Sequence, residues 1–325
     1  MNHRFLPILF ASILLILAIP QAARAVPAAE LLSSGRADAA IAALQQQLTA
    51  TPNNAQARAL LARAYYAMER WDEAIGAAQQ AVALEPGNSE YHLWLGRAYG
   101  QKADQASWVT ALSLARKART EFEKAVQLNG GNVEARCDLA EFYISAPSFL
   151  GGGKEKGLVQ AEQLRALGKE SAALWIQAKI AETDKNFGVA EQDLRAAIAA
   201  SHSSPETYLN LASFCRRRGR LAEMENLLHQ TVEAANKAQR YGLLLEAAQM
   251  LNRTDRNLAE ALRWVRAYIA SPQHSEDAPL FRAYYLVGII QEKLGDKQAA
   301  AGEYRTVLSL ASGFVPAQTA LKRLE

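Results

Sequence analysis

Cysteine is nearly absent from this chain, with two in 325 residues, and proline is scarce at ten. A disulfide-stapled scaffold and a proline-rich or collagen-like chain are thereby excluded. Cys137 and Cys215 fall in different segments, expected to lie on the order of 20 Å apart, too far for an intramolecular bridge. No sign of charge dominates, since 36 Lys and Arg face 33 Asp and Glu. Without Arg4 and Arg24, which lie in the N-terminal segment discussed below, the balance is 34 against 33, or +1. That gives no global case for nucleic-acid binding. Beyond the first twenty residues no run is long and apolar enough to span a bilayer.

Catalytic and metal-binding spacings are missing too. His92, His202, His229 and His274 are scattered. There is no His-Glu-x-x-His, no zinc-type Cys/His spacing and no Gly-x-Ser-x-Gly. The Gly151-Gly152-Gly153-Lys154 run invites a phosphate-loop reading. However, Ser148 stands where the first glycine belongs, Glu155 follows the lysine, and no strand precedes. What remains of that reading is a helix start whose backbone N–H groups could hold an anion. An enzyme has no positive support, and no metal or cofactor is expected.

What the chain has is alanine. Its 64 alanines are about a fifth of the residues, and half of the sequence is hydrophobic. Alanine is the best helix former and a poor strand former, so an all-α protein is expected. Residues 1–25 have the order of a secretory signal peptide. His3 and Arg4 are followed by an apolar run from Phe5 to Ile19, then Pro20, then Ala23-Arg24-Ala25 as a small-x-small cleavage pattern. Cleavage after Ala25 and a periplasmic or secreted location follow as expectations, an uncleaved N-terminal anchor being the alternative.

The remainder repeats every 34 residues. In residues 55–88, Leu61, Ala62, Tyr65, Trp71, Ala74, Ala81 and Pro86 stand at positions 7, 8, 11, 17, 20, 27 and 32 of the unit. The next unit carries His92-x2-Leu95-Gly96-x2-Tyr99 and Ala118-x3-Phe122-x2-Ala125. This pattern resembles the tetratricopeptide repeat. Position 20 can be followed through Ala40, Ala74, Ala118, Gly157, Ala190, Met224, Ala261 and Ala300. The units fall near 26–54, 55–88, 89–132, 133–170, 171–204, 205–241, 242–280 and 281–313, with a capping helix over 314–325. The resemblance implies a right-handed superhelix of helix A/helix B hairpins. Small residues at positions 8, 20 and 27 would let helices approach to about 8–10 Å.

Departures from the pattern mark candidate special regions. About ten extra residues fall within Gln101–Ala115, and about five within Ala146–Lys154. Equivalent turns of a solenoid project from one edge, so Trp108 and Phe149 are expected side by side, as a packed extension or an edge-mounted partner site. Weak signatures at Met224 and Gln249, with irregular linkers at 239–241 and 276–280, allow a joint in the array.

The resemblance also implies that helix A lines a concave groove. There its positions give Arg63, Tyr66, Arg97, Trp175, Lys179, Arg216 and Arg253. Arginine and aromatic residues suit peptide capture. Ala59 and Arg63 replace the Lys and Asn of the family's chaperone-tail clamp, so that specificity is not expected. The function expected is a non-enzymatic envelope scaffold holding a protein or peptide partner. The alternative is a glycan-handling accessory protein stacking sugars on Trp108, Trp175 and Tyr66.

Overall fold

Alanine, leucine and long polar side chains lose little freedom in a helix, and the chain is helical throughout. The computed structural model describes residues 26–325; the expected signal peptide and its cleavage point lie outside the described residues. Among those residues there are seventeen α-helices and no strand. The first four hairpins pair α1 (Ala28–Ser33) with α2 (Ala37–Ala50), α3 (Ala55–Ala67) with α4 (Trp71–Leu84), α5 (Ser89–Gln105) with α6 (Trp108–Leu128), and α7 (Val133–Ser145) with α8 (Lys154–Ala166). The next four pair α9 (Glu170–Thr183) with α10 (Phe187–Ala200), α11 (Pro205–Arg217) with α12 (Leu221–Lys237), α13 (Gly242–Arg253) with α14 (Leu258–Ile269), and α15 (Leu280–Lys293) with α16 (Lys297–Leu310). A single helix, α17 (Val315–Leu324), ends the chain. The all-α hairpin array expected from the sequence is therefore the observed architecture.

Local chemistry sets the helix starts. Asn54, Asn88 and Asn132 each accept a backbone N–H from the first turn of α3, α5 and α7, satisfying a donor that has no partner within the helix. Small side chains set the spacing. Ala40, Ala74, Ala118, Ala190, Ala261 and Ala300 are at most 1% exposed. Met224, the bulky member of that series, is also fully buried, so its unit has repacked around it. At Gly96 and Gly288 a Cβ would lie 2.6 Å from the Phe122 ring and 2.5 Å from the Tyr304 ring, so each aromatic sits directly on helix backbone.

The two insertions differ in structure. The residues within Gln101–Ala115 mostly lengthen their hairpin, giving α5 17 residues and α6 21, against 13 and 14 in α3 and α4. Strong helix formers fill the segment, and the chain breaks only at Ala106-Ser107. In the second, Ser148–Leu150 form one 3-10 turn whose Leu150 carbonyl accepts from Arg119 Nη1 at 2.7 Å. Arg119 lies about three turns along α6 from Trp108, so the expected side-by-side pairing of Trp108 with Phe149 does not form. Each is exposed, at 72% and 63%. The tip of the α5–α6 hairpin leans the other way, with Trp71 Nε1 donating to Gln105 Oε1 at 3.0 Å.

The glycine run is a packed turn. Gly151, Gly152 and Gly153 donate their N–H groups to the carbonyls of Ser148, Pro147 and Tyr143, which leaves none of the three for an anion. Gly151 holds φ +91°, and a Cβ there would overlap the Arg119 guanidinium.

The ends of the array meet. Phe281 at the start of α15 and Phe314 before α17 stack edge to face at 5.3 Å, both fully buried. They share one apolar core with Leu31 and Leu32 of α1 and with Met68 after α3. Gly35, at φ +79° in the α1–α2 turn, lies so close that a Cβ would stand 2.6 Å from the Phe281 backbone nitrogen. Arg282 donates to the Ala67 carbonyl and pairs with Glu69, each at 2.8 Å. The Ser312 N–H reaches Asp38 at 2.7 Å. Turns within the first two hairpins thus rest on loops between the last ones, which are opposite edges of the solenoid. The array completes a turn and closes on itself. The C-terminal capping helix expected from the sequence is α17, and it also takes part in this closure, with Ala317 and Phe314 fully buried.

The packing makes the sign of two glycine substitutions predictable. Gly288→Ala should lower stability by about 1–3 kcal/mol through overpacking against Tyr304. At the open site Gly302 on α16, the same change should gain roughly 0.5–1 kcal/mol from helix propensity. Urea titrations of the two variants read the opposite signs. Phe281→Ala should cost about 3–5 kcal/mol and separate the ends, enlarging the radius of gyration in X-ray scattering. A cost without expansion would show that closure is held elsewhere.

Candidate functional site

Closure turns the concave face into a cavity of about 970 Å³. Its walls are the A helices α3, α5, α11 and α13, together with residues 239–241, the loop 270–279 and Arg282 at the start of α15. Residues α-helically spaced on one side of each A helix must face inward because the B helices cover the other side.

On much of this inner surface, charged side chains satisfy one another across neighbouring A helices. Arg97 on α5 binds Asp138 and Glu134 on α7, at 2.6 and 2.9 Å. Lys179 on α9 pairs with Glu141 on α7 at 2.7 Å and lies over the Trp175 ring. Arg217 on α11 binds Glu182 on α9 at 2.7 Å. The result is a lateral ladder of ion pairs from α5 to α11. Burial pushes the Asp138 carboxyl up, and Arg97 opposes that shift. Burial, with Asp138 beside it, also pushes the Cys137 thiol up to about 12, so it is not a poised nucleophile. Both cysteines are free, and Cys215 is a fully buried core residue.

The sequence-derived candidates therefore divide. Arg63, Tyr66, Arg97, Arg216 and Arg253 line the cavity. Arg63 is engaged by Glu276 at 2.8 Å and Asp277 at 3.1 Å, and stacks on Trp94 at 4.8 Å. Tyr66 packs its ring against Trp71 and Trp94. Trp175 and Lys179 sit farther along the array, outside the cavity wall. Trp108 and Phe149 lie apart on the outside. Arg216 and Arg253 alone combine a place on the cavity wall with no ion-pair partner among the described residues. Asn210, Ser213, Gln249 and Met250 fill the wall around them.

Sequence reasoning missed Trp94, Glu246 and the loop carboxylates Glu276 and Asp277. Trp94 stands one residue before the motif Leu95-Gly96, and Glu276 opens the linker that departs from the repeat. Glu246 opens onto the cavity, and its carboxyl is pushed above the ordinary glutamate value of 4.5 because the walls strip part of its hydration, while Glu206 adds like charge. Among the described residues no group of three or more His, Cys, Asp or Glu is arranged to hold a metal, and no helix is long and apolar enough to cross a membrane.

Comparison with known proteins agrees with this architecture. Residues 31–98 and 281–314 each match the tetratricopeptide repeat family. The chain is a tetratricopeptide repeat protein. Yeast Tom70 shares the fold of this tetratricopeptide repeat protein with a TM-score of 0.52 and 13% identity, over 93% of this chain and 64% of Tom70. A thermophilic repeat protein of Thermus thermophilus is 22% identical over 69% of this chain and 95% of its own, with a TM-score of 0.44. No curated protein matches the chain. The repeat fold is that of a protein-interaction scaffold or adaptor.

Two glutamates predict opposite pH effects. Glu246 has a raised value in the folded protein, so its ionisation opposes folding above that value, and the penalty disappears as pH falls through it towards 4.5. Hydrogen bonds from Arg220 and Arg195 hold Glu191 down at about 2, so its contribution is complete above 4.5 and is lost as pH falls towards 2. Glu246→Gln should raise the melting temperature at pH 7 and lose that advantage by about pH 4.5. Glu191→Gln should lower it at pH 7, a deficit that shrinks only below 4.5. Melting curves across this range check both signs.

Proposed function

We propose that this tetratricopeptide repeat protein is a non-enzymatic scaffold that captures an extended segment of a partner protein inside its partly open cavity, on the wall formed by α11 and α13. One observation carries the reading. The inner charged groups of α5, α7 and α9 are engaged with each other, whereas Asn210, Arg216, Gln249 and Arg253 converge on the cavity, and among the described residues Arg216 and Arg253 have no ion-pair partner. An extended segment needs donors and acceptors for its backbone, which Asn and Gln side chains supply together. Arginine adds contact area and charge. The volume of about 970 Å³ is at the upper end of the roughly 300–1,000 Å³ typical of ligand sites. It admits a short stretch of chain and not a folded domain.

Of the stacking platforms that glycan handling would use, Tyr66 is engaged with Trp71 and Trp94 and Trp175 lies beneath Lys179, while Trp108 is exposed away from the cavity. The positive, apolar and small-residue order of residues 1–25 supports an envelope location. A displayed library of random twelve-residue segments, panned on the protein, tests the reading. Selected segments should bind the Arg216→Ala/Arg253→Ala variant at least tenfold more weakly while its melting temperature stays within a few degrees. Equal binding to both proteins would place the site elsewhere.

A further inference from the structure

Residues 270–279, between α14 and α15, are the longest connection between described helices. The loop is anchored at both ends. The His274 ring reaches the Tyr268 carbonyl at 3.2 Å, and the Tyr268 hydroxyl donates to the Ala278 carbonyl. Between these anchors Glu276 and Asp277 project onto the cavity wall at Arg63. The chain thus places two of its own carboxylates, on an irregular backbone, against an arginine stacked on Trp94. An acidic peptide bound at that wall would make the same contacts.

We propose that the partner segment is acidic and that it enters by displacing Glu276 and Asp277 from Arg63. The proposal rests on the scaffold reading above and names the chemistry of its partner. Charge complementarity carries it. Arg97, Arg240 and Arg282 on the cavity wall already hold carboxylates behind them, namely Asp138, Glu206 and Glu69. Once the loop carboxylates leave, Arg63, Arg216 and Arg253 remain against Glu246 alone. The loop is also the replaceable part of the wall. Asp277 keeps 66% of its side chain in solvent, so its pair with Arg63 is strongly screened, and Glu276, at 21%, gives the firmer of the two contacts that an incoming carboxylate must remake. Glu246 additionally repels Asp277 across the cavity. By contrast, the apolar closure at Phe281 and Phe314 is fully buried and has no reason to part when the loop moves.

Fluorescence anisotropy with a labelled octapeptide of alternating Glu and Gly, in the full chain at low salt, tests this, with a Lys/Gly octapeptide as control. The acidic probe should bind, and the Lys probe should not. Glu276→Gln/Asp277→Asn should bind the acidic probe at least fivefold more tightly, and Arg216→Ala/Arg253→Ala at least tenfold more weakly. If the double loop variant melts early, Asp277→Asn alone, at a mostly solvated carboxylate, should still tighten binding by a smaller factor. Equal affinity of the loop variants and the parent protein would overturn the displacement. If panned segments bind the cavity but carry no acidic excess, the acidic partner is wrong and the scaffold reading stands. If neither probe nor any panned segment binds, both fall.

Discussion

The contact on which the rest of the structure depends is the meeting of the first and last repeats through Leu31, Leu32, Met68, Phe281 and Phe314. In an open repeat array each unit touches only its neighbours, so stability is a sum of local interfaces and the concave face is an open groove. Here the fully buried Phe281–Phe314 pair gives the terminal units a second interface. The α1 hairpin is otherwise the shortest of the array, its leading helix having only 6 residues. Resting on α15 and α17 relieves it of the exposed apolar face that an end unit would present. The same contact converts the groove into a cavity and fixes where the loop 270–279 must lie.

Enclosure changes what the inner side chains do. Charges facing open water gain little from pairing, whereas charges facing one another across a partly enclosed wall gain more because screening is weaker. The ladder from Arg97 through Asp138, Glu141, Lys179 and Glu182 to Arg217 begins on the cavity wall at Arg97, continues beyond it, and links consecutive A helices side to side. A surface that satisfies itself offers a ligand little. The wall of α11 and α13 differs because Arg216 and Arg253 have no ion-pair partner among the described residues; both stand in the last turns of their helices, where cations complement the exposed carbonyls.

The local layers of this fold were legible in the sequence, and the global one was not. The series from Ala40 to Ala300 reports close helix approach, which is a property of neighbours and repeats with them. The concave placement of Arg63, Tyr66, Arg97, Arg216 and Arg253 likewise follows from position within one unit. Whether Phe281 meets Leu32 depends on small rotations summed over the intervening units, and no motif encodes that sum. Side-chain partners are hidden for the same reason. Arg63 and Glu276 are 213 residues apart, so an arginine that reads as a free groove residue is occupied. Trp108 and Phe149 show the limit of edge reasoning: they lie at equivalent turns, yet α6 extends so far that Arg119, not Trp108, meets the second segment.

The relative strengths of these contacts decide which parts can move. Burying a phenylalanine fully stabilises by about 1.5–3 kcal/mol, and the closure has two such rings together with Leu31, Leu32 and Met68. A solvated ion pair contributes about 0–1 kcal/mol, which is the class of Arg63 with Asp277, while Glu276 is the more shielded of the two loop carboxylates. A ligand can shift an equilibrium only by its differential affinity for the two states. Exchanging one carboxylate for another at Arg63 asks for little such difference, because a similar contact is remade as the old one breaks. Parting Phe281 from Phe314 would ask for several kcal/mol with nothing remade. In the proposed mode of capture, binding therefore falls to loop exchange, with the closed array as the rigid frame.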